Sequence, residues 1–131
     1  MSKTILQSVK FKASPKTLFE IYMDSRKHSE ATGAKAVLSR EMGGKFMAYE
    51  GYIQGKNLLI IPNYLIVQTW GGKDFKKSDP DSILALTFNR IRGGTRLDLV
   101  HINVPDHKYR GITDGWHEYY WKKWKKYLKE M

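Results

Sequence analysis

The stretch GWHEYYWKKWKKYLKE, residues 115–130, decides the fold. At about 100° per residue, Trp116, Tyr120, Trp124 and Leu128 fall in one stripe, and Tyr119 and Tyr127 widen it. Lys122, Lys125, Lys126 and Lys129 fall on the opposite side. The pattern predicts a long amphipathic helix with rings toward a core and lysines in water. At about 1.5 Å per residue the stripe runs roughly 18 Å, enough to cross a small sheet. Large rings with polar edges also suit the roof of a pocket, because they can meet a ligand's polar atoms. His117 falls at the edge of the arc and reads as a half-exposed packing residue.

The segment before this helix supplies the sheet. Ser82 to Arg90 and Thr95 to Val104 read as a hairpin across Gly93-Gly94, since glycine reaches the positive φ of hairpin turns. Alternation in the second strand sets Leu97, Leu99 and His101 on one face and Arg96, Asp98, Val100 and Ile102 on the other. The first face is the more apolar, so His101 is expected to point inward. A buried imidazole needs a partner, because an unpaired buried polar group costs about 1–3 kcal/mol. A tyrosine or a backbone group is the expected partner; an anchor for a ligand's polar end is the alternative.

Farther back, Thr4 to Lys12 reads as a first strand. Ser14-Pro15 starts a helix ending near Asp24: serine caps free N–H groups and proline suits the first helical position. A short helix, Ser25 to Thr32, is closed by Gly33. Strands follow at Ala36 to Arg40, Lys45 to Ile53, Asn57 to Ile61 and Tyr64 to Trp70, with Gln54-Gly55 read as a turn. Phe75 to Asp81 is a polar loop. Glu50 and Gln68 lie within strand segments and read as solvent-facing. Strands segregated from helices along the chain indicate an α+β fold.

Composition bounds the rest. The chain has 131 residues, and residues 1–131 read as one domain. Cysteine is absent, which removes disulfides, thiol catalysis and thiolate metal sites. Signal-peptide and membrane-span patterns are missing, and a cytoplasmic protein is expected. Lys and Arg number 23 against 13 Asp and Glu, a net charge of +10 that reads as a soluble basic surface, the alternative being long-range attraction of acidic partners, anionic lipid or nucleic acid. No HExxH, GxSxG, P-loop or GxGxxG pattern occurs, and His28, His101, His107 and His117 are scattered. The reading therefore contains no catalytic residue, metal site or cofactor, and no nucleic-acid motif.

Several blocks together carry a resemblance over essentially the whole chain. They are Ala13-Ser14-Pro15 leading into Leu18-Phe19, Gly43-Gly44-Lys45-Phe46, Gly51-Tyr52-Ile53-Gln54-Gly55, Ile61-Pro62 and Ile66-Val67-Gln68-Thr69-Trp70. Leu86-Thr87-Phe88, Gly94 through His101, Val104-Pro105 and Gly115-Trp116 through Tyr120-Trp121 complete them. The order and spacing resemble the activator of heat-shock-protein-90 ATPase homologue family of the START-like (SRPBCC) superfamily. The resemblance implies a helix-grip fold: a curved antiparallel sheet around the long C-terminal helix, with two short helices after the first strand. It implies a cavity between helix and sheet of the kind that commonly binds apolar or aromatic small molecules, and a non-enzymatic binding module is the first expectation. Trp70, Leu97, Leu99, His101, Trp116, Tyr120 and Trp124 form the expected ligand-contacting set. The alternatives are a module that docks on a heat-shock-protein-90-type chaperone and stimulates its ATPase in the stress response, and a cyclase- or hydrolase-type enzyme.

Overall fold

The computed structural model describes residues 2–131. Among them seven strands form one antiparallel sheet in the order β1-β7-β6-β5-β4-β3-β2. The strands are β1 (Ser2–Phe11), β2 (Val37–Leu38), β3 (Lys45–Ala48), β4 (Ile53–Ile61), β5 (Leu65–Gly72), β6 (Ser82–Ile91) and β7 (Gly94–Pro105). From β2 onward each strand pairs with the next in the chain, and β1 closes the far edge against β7. Helices α1 (Pro15–Met23) and α2 (Ser25–Thr32) follow β1. Ser14 caps α1 by accepting from the Thr17 backbone N–H, and Asp24 caps α2 through Lys27. Near its C-terminus the chain forms α3 (Tyr109–Trp116), a π-turn (His117–Trp121) and α4 (Lys122–Glu130), consecutive segments of one helix. This is the helix-grip arrangement that the resemblance implies.

The inner face of the sheet carries the core. Leu97, Leu99 and His101 point inward and are buried, while Arg96, Val100 and Ile102 are exposed on the outer face. One cross-strand row of the inner face reads Ile5, His101, Leu84, Gln68 and Asn57. The next row outside reads Leu6, Val100, Ala85, Val67 and Leu59, an apolar line across five strands. Over this core lie Trp116, Tyr120 and Trp124, all buried, with Leu128 half-buried at the end of the stripe. Lys122, Lys125, Lys126 and Lys129 are exposed.

Four expectations are corrected. Lys45 to Ile53 is not one strand: a 3-10 turn at Tyr49–Gly51 breaks it, with φ positive at Tyr49 and Glu50, so Glu50 sits in a turn. Gln54-Gly55 is not a turn but lies inside β4, where Gly55 lets the Thr69 backbone approach: a Cβ there would sit 1.9 Å from the Thr69 carbonyl oxygen. Gln68 is buried, because alternation in β5 sets it beside Ile66 and Trp70 on the inner face. Tyr119 does not widen the apolar stripe but is 56% exposed, whereas Trp121 is buried. The π-turn explains the exchange. Its extra residue per turn rotates later side chains, so residues five apart come into line. Trp116 and Trp121 accordingly stack at 5.4 Å with 17° between ring planes.

Candidate functional site

Between the first half of the C-terminal helix and the sheet lies a groove of about 440 Å³, within the 300–1,000 Å³ typical of ligand sites. Each wall has a local cause. The 3-10 turn after β3 projects Tyr49 and Tyr52, β4 adds Ile53, and β5 adds Trp70. The helix side offers Lys108, Gly111, Ile112, Gly115, Trp116, Tyr119 and Tyr120. Gly111 leaves open space on the helix, since a Cβ built there meets nothing within 4 Å, and at Gly115 the Tyr119 ring lies over the missing side chain, 3.6 Å from a built Cβ. Glycine inside a helix costs about 0.8–1 kcal/mol relative to alanine, so these glycines lower the helix's own stability. The lining contains no Asp, Glu, His, Ser or Thr, and Lys108 is its one charged residue.

Two links span the groove. The Tyr49 hydroxyl donates to the Tyr119 carbonyl at 2.5 Å, tying the β3–β4 turn to the π-turn. The Tyr52 hydroxyl donates to Asp74, which also accepts from Lys108 Nζ at 3.0 Å. The carboxylate beside Tyr52 pushes that phenol up to about 12, and burial raises the Tyr49 phenol further, so both stay protonated donors at neutral pH.

Of the expected contact set, Trp70, Trp116 and Tyr120 line the groove; Leu97, Leu99, His101 and Trp124 do not. Leu97 and Leu99 are packed in the core, and Trp124 lies against Phe11, Tyr22 and Trp121. His101 is sealed off beside Trp70 and Trp116, with ring centroids 4.8 and 5.9 Å away. Its partners are side chains rather than a tyrosine or a backbone group. The Trp116 indole N–H donates to Nδ1 at 3.1 Å. Ser82 gives its one proton to the Trp70 carbonyl at 2.6 Å and so accepts from His101 Nε2 at 2.7 Å. Both ring nitrogens are occupied, so His101 has no capacity left for a ligand. It fixes the indole of Trp116, and burial lowers its pKa to about 3.

A second buried polar assembly escaped the sequence reading. His28 Nδ1 faces the Tyr22 carbonyl at 2.8 Å and must donate to it; Nε2 then accepts from the Tyr120 hydroxyl at 3.0 Å. The Tyr22 hydroxyl donates to Gln68 Oε1 at 2.7 Å, Gln68 Nε2 donates to Asn57 Oδ1 at 2.9 Å, and Asn57 Nδ2 donates to the Ser39 and Glu41 carbonyls. Desolvation lowers His28 to about 4 and raises Tyr22 and Tyr120. The signal for His28 was its three- and four-residue spacing from Ala31 and Thr32, both buried on the same helix face. Tyr49, Tyr52 and Lys108 had no such signal, because turn and helix-start geometry bring them to the groove. No group of three or more His, Cys, Asp or Glu among the described residues is arranged to hold a metal ion. No helix among them is long and apolar enough to cross a membrane.

Comparison with known proteins bears on this site. Residues 12–129 match the family model described as Activator of Hsp90 ATPase homolog 1-like protein. The chain is 29% identical over 117 residues to the Dictyostelium discoideum protein named Activator of 90 kDa heat shock protein ATPase homolog. That match covers 88% of this chain and 30% of that protein, so the chain spans under a third of its relative's length. Among solved structures, an HSP90 activator from Plasmodium falciparum superposes with a TM-score of 0.83 at 25% identity, covering 98% of this chain and 96% of that one. A Mesorhizobium loti protein shares the fold, with a TM-score of 0.85 at 18% identity and 98% of each chain covered.

Proposed function

Because the chain belongs to the Activator of Hsp90 ATPase homolog 1-like family, we propose that it is a START-like binding module whose groove takes up an apolar or aromatic small molecule without transforming it. The observation that carries this reading is the open helix position at Gly111, set opposite a wall of aromatic side chains. A lining without carboxylate, imidazole or hydroxyl nucleophile other than phenols supports binding rather than hydrolysis or cyclisation.

The test fills the groove from within. Gly111→Leu starts in open space on a helix and should leave the thermal midpoint unchanged or raise it. Titrated with N-phenyl-1-naphthylamine, the native chain is expected to show saturable fluorescence enhancement, and Gly111→Leu to lose at least about tenfold in affinity. Equal binding by both proteins refutes the reading. Mass spectrometry of small molecules carried by the purified chain would identify the natural occupant.

A second reading, contact with a heat-shock-protein-90-type chaperone that stimulates its ATPase, is favoured by the names of the Dictyostelium and Plasmodium relatives. The uncovered row Leu6, Val100 and Leu59, respectively 72%, 38% and 38% exposed, is a surface that such a contact would use. ATPase stimulation that survives Gly111→Leu but is abolished by Val100→Asp would favour docking over groove binding.

A further inference from the structure

Building on the groove reading, we propose that the occupant is an amphipathic anion: an aromatic or acyl body carrying one carboxylate-type head, with Lys108 receiving the head. Lys108 is the sole charged residue of the lining, ion-paired with Asp74 beside it, and the other walls are aliphatic, glycine or aromatic. The side chain is 26% exposed, hence mostly withdrawn from water at the groove's lip. Its ammonium has three N–H donors, and the protein uses one of them, toward Asp74. Two donors therefore remain for a ligand while the Asp74 bond stays intact. Asp74 is outside the lining, and it also accepts from Tyr52, which is inside. The carboxylate thus holds Lys108 through one N–H while lying outside the lining. A neutral occupant has no acceptor to offer the ammonium, so it binds through its body alone and gains nothing from Lys108. An anionic head gains charge-assisted hydrogen bonds there, while its body lies against Trp70, Trp116 and Tyr120.

Two fluorescent probes with the same rings separate the head from the body: 8-anilinonaphthalene-1-sulfonate and neutral N-phenyl-1-naphthylamine. At physiological salt the native chain is expected to bind the sulfonate about tenfold more tightly. Lys108→Met should bring the sulfonate's Kd to that of the neutral probe, and should leave the neutral probe's Kd within about twofold. Lys126→Met, on the far lysine face, should change neither. Equal affinities in the native chain, or a sulfonate preference that survives Lys108→Met, overturns the inference. So does a preference lost equally in Lys126→Met, which would assign it to overall charge. If the neutral probe binds in a Gly111-dependent way and the sulfonate has no advantage, the anion inference fails and the groove reading stands. If Gly111→Leu affects neither probe, the groove reading fails and takes this inference with it.

Discussion

Mild acid should destabilise this protein through its two buried histidines. His28 and His101 are about 1% and 0% exposed, and their folded-state pKa values lie near 4 and 3 against 6.5 for a free imidazole. The unfolded chain therefore binds protons that the folded chain refuses. Folded pKa values below the unfolded ones mean that the stability is complete above about pH 6.5 and is lost as pH falls toward 3–4. Each pH unit in that window costs about 1.4 kcal/mol per group. At pH 5 each histidine removes roughly 2 kcal/mol, and the pair roughly 4 kcal/mol, a large share of a stability of about 5–15 kcal/mol. The carboxylates of Asp74, Asp79 and Asp98 are all held below their usual value of 3.8, so their contribution is lost at lower pH and does not confuse the window. Urea unfolding followed by tryptophan fluorescence at pH 7 and pH 5 measures the difference. Nitrogen NMR of the imidazoles gives an independent check: His101 should carry its proton on Nε2 and His28 on Nδ1, opposite tautomers, and neither should titrate above pH 5. A stability change below about 1 kcal/mol, or a His101 ring that titrates near 6.5, would refute the reasoning.

Three further outcomes follow from particular contacts. Trp124→Ala should cost about 3–5 kcal/mol, because a fully buried indole packed against Phe11, Tyr22 and Trp121 leaves a cavity; chemical denaturation shows it as a lowered midpoint. Gly55→Ala should prevent stable folding, since the new methyl would collide with the Thr69 carbonyl; a native-like circular dichroism melt would contradict the close approach within the sheet. Neutralising Lys122, Lys125, Lys126 and Lys129 together should leave the thermal midpoint nearly unchanged, at under about 0.5 kcal/mol each, while weakening any complex with an acidic partner in a salt-dependent assay.

Much of the fold was legible because its causes are local. The four-residue spacing of Trp116, Tyr120 and Trp124 marks the helix face, and strand alternation places Leu97, Leu99 and His101 on one side. Ser14, Asp24 and Gly33 set helix ends through caps within three or four residues. Gln68 could have been assigned by the same alternation that assigned His101, but its polarity outweighed its position. The groove was less legible. Its helix face opens at the absent side chain of Gly111, and a missing Cβ produces no periodic signal.

The sequence by itself determined the inward face of Leu97, Leu99 and His101, the hairpin reversal at Gly93-Gly94 and that an α+β sheet must meet one long aromatic helix, since each depends on residues near one another in the chain. Only the tertiary structure decided that His101 is paired with Trp116 and Ser82, that Tyr22, Gln68 and Asn57 join in one buried line, and that Lys108 sits at the lip of the groove. The Tyr22 and Gln68 partners are 46 residues apart, and His28 and Tyr120 are 92 apart. A buried polar group accepts whichever partner packing brings within about 3 Å, and no local propensity encodes that choice. The π-turn belongs to the same class: its rotation of Trp121 into the core answers to the fit of helix on sheet rather than to the order of residues along the helix.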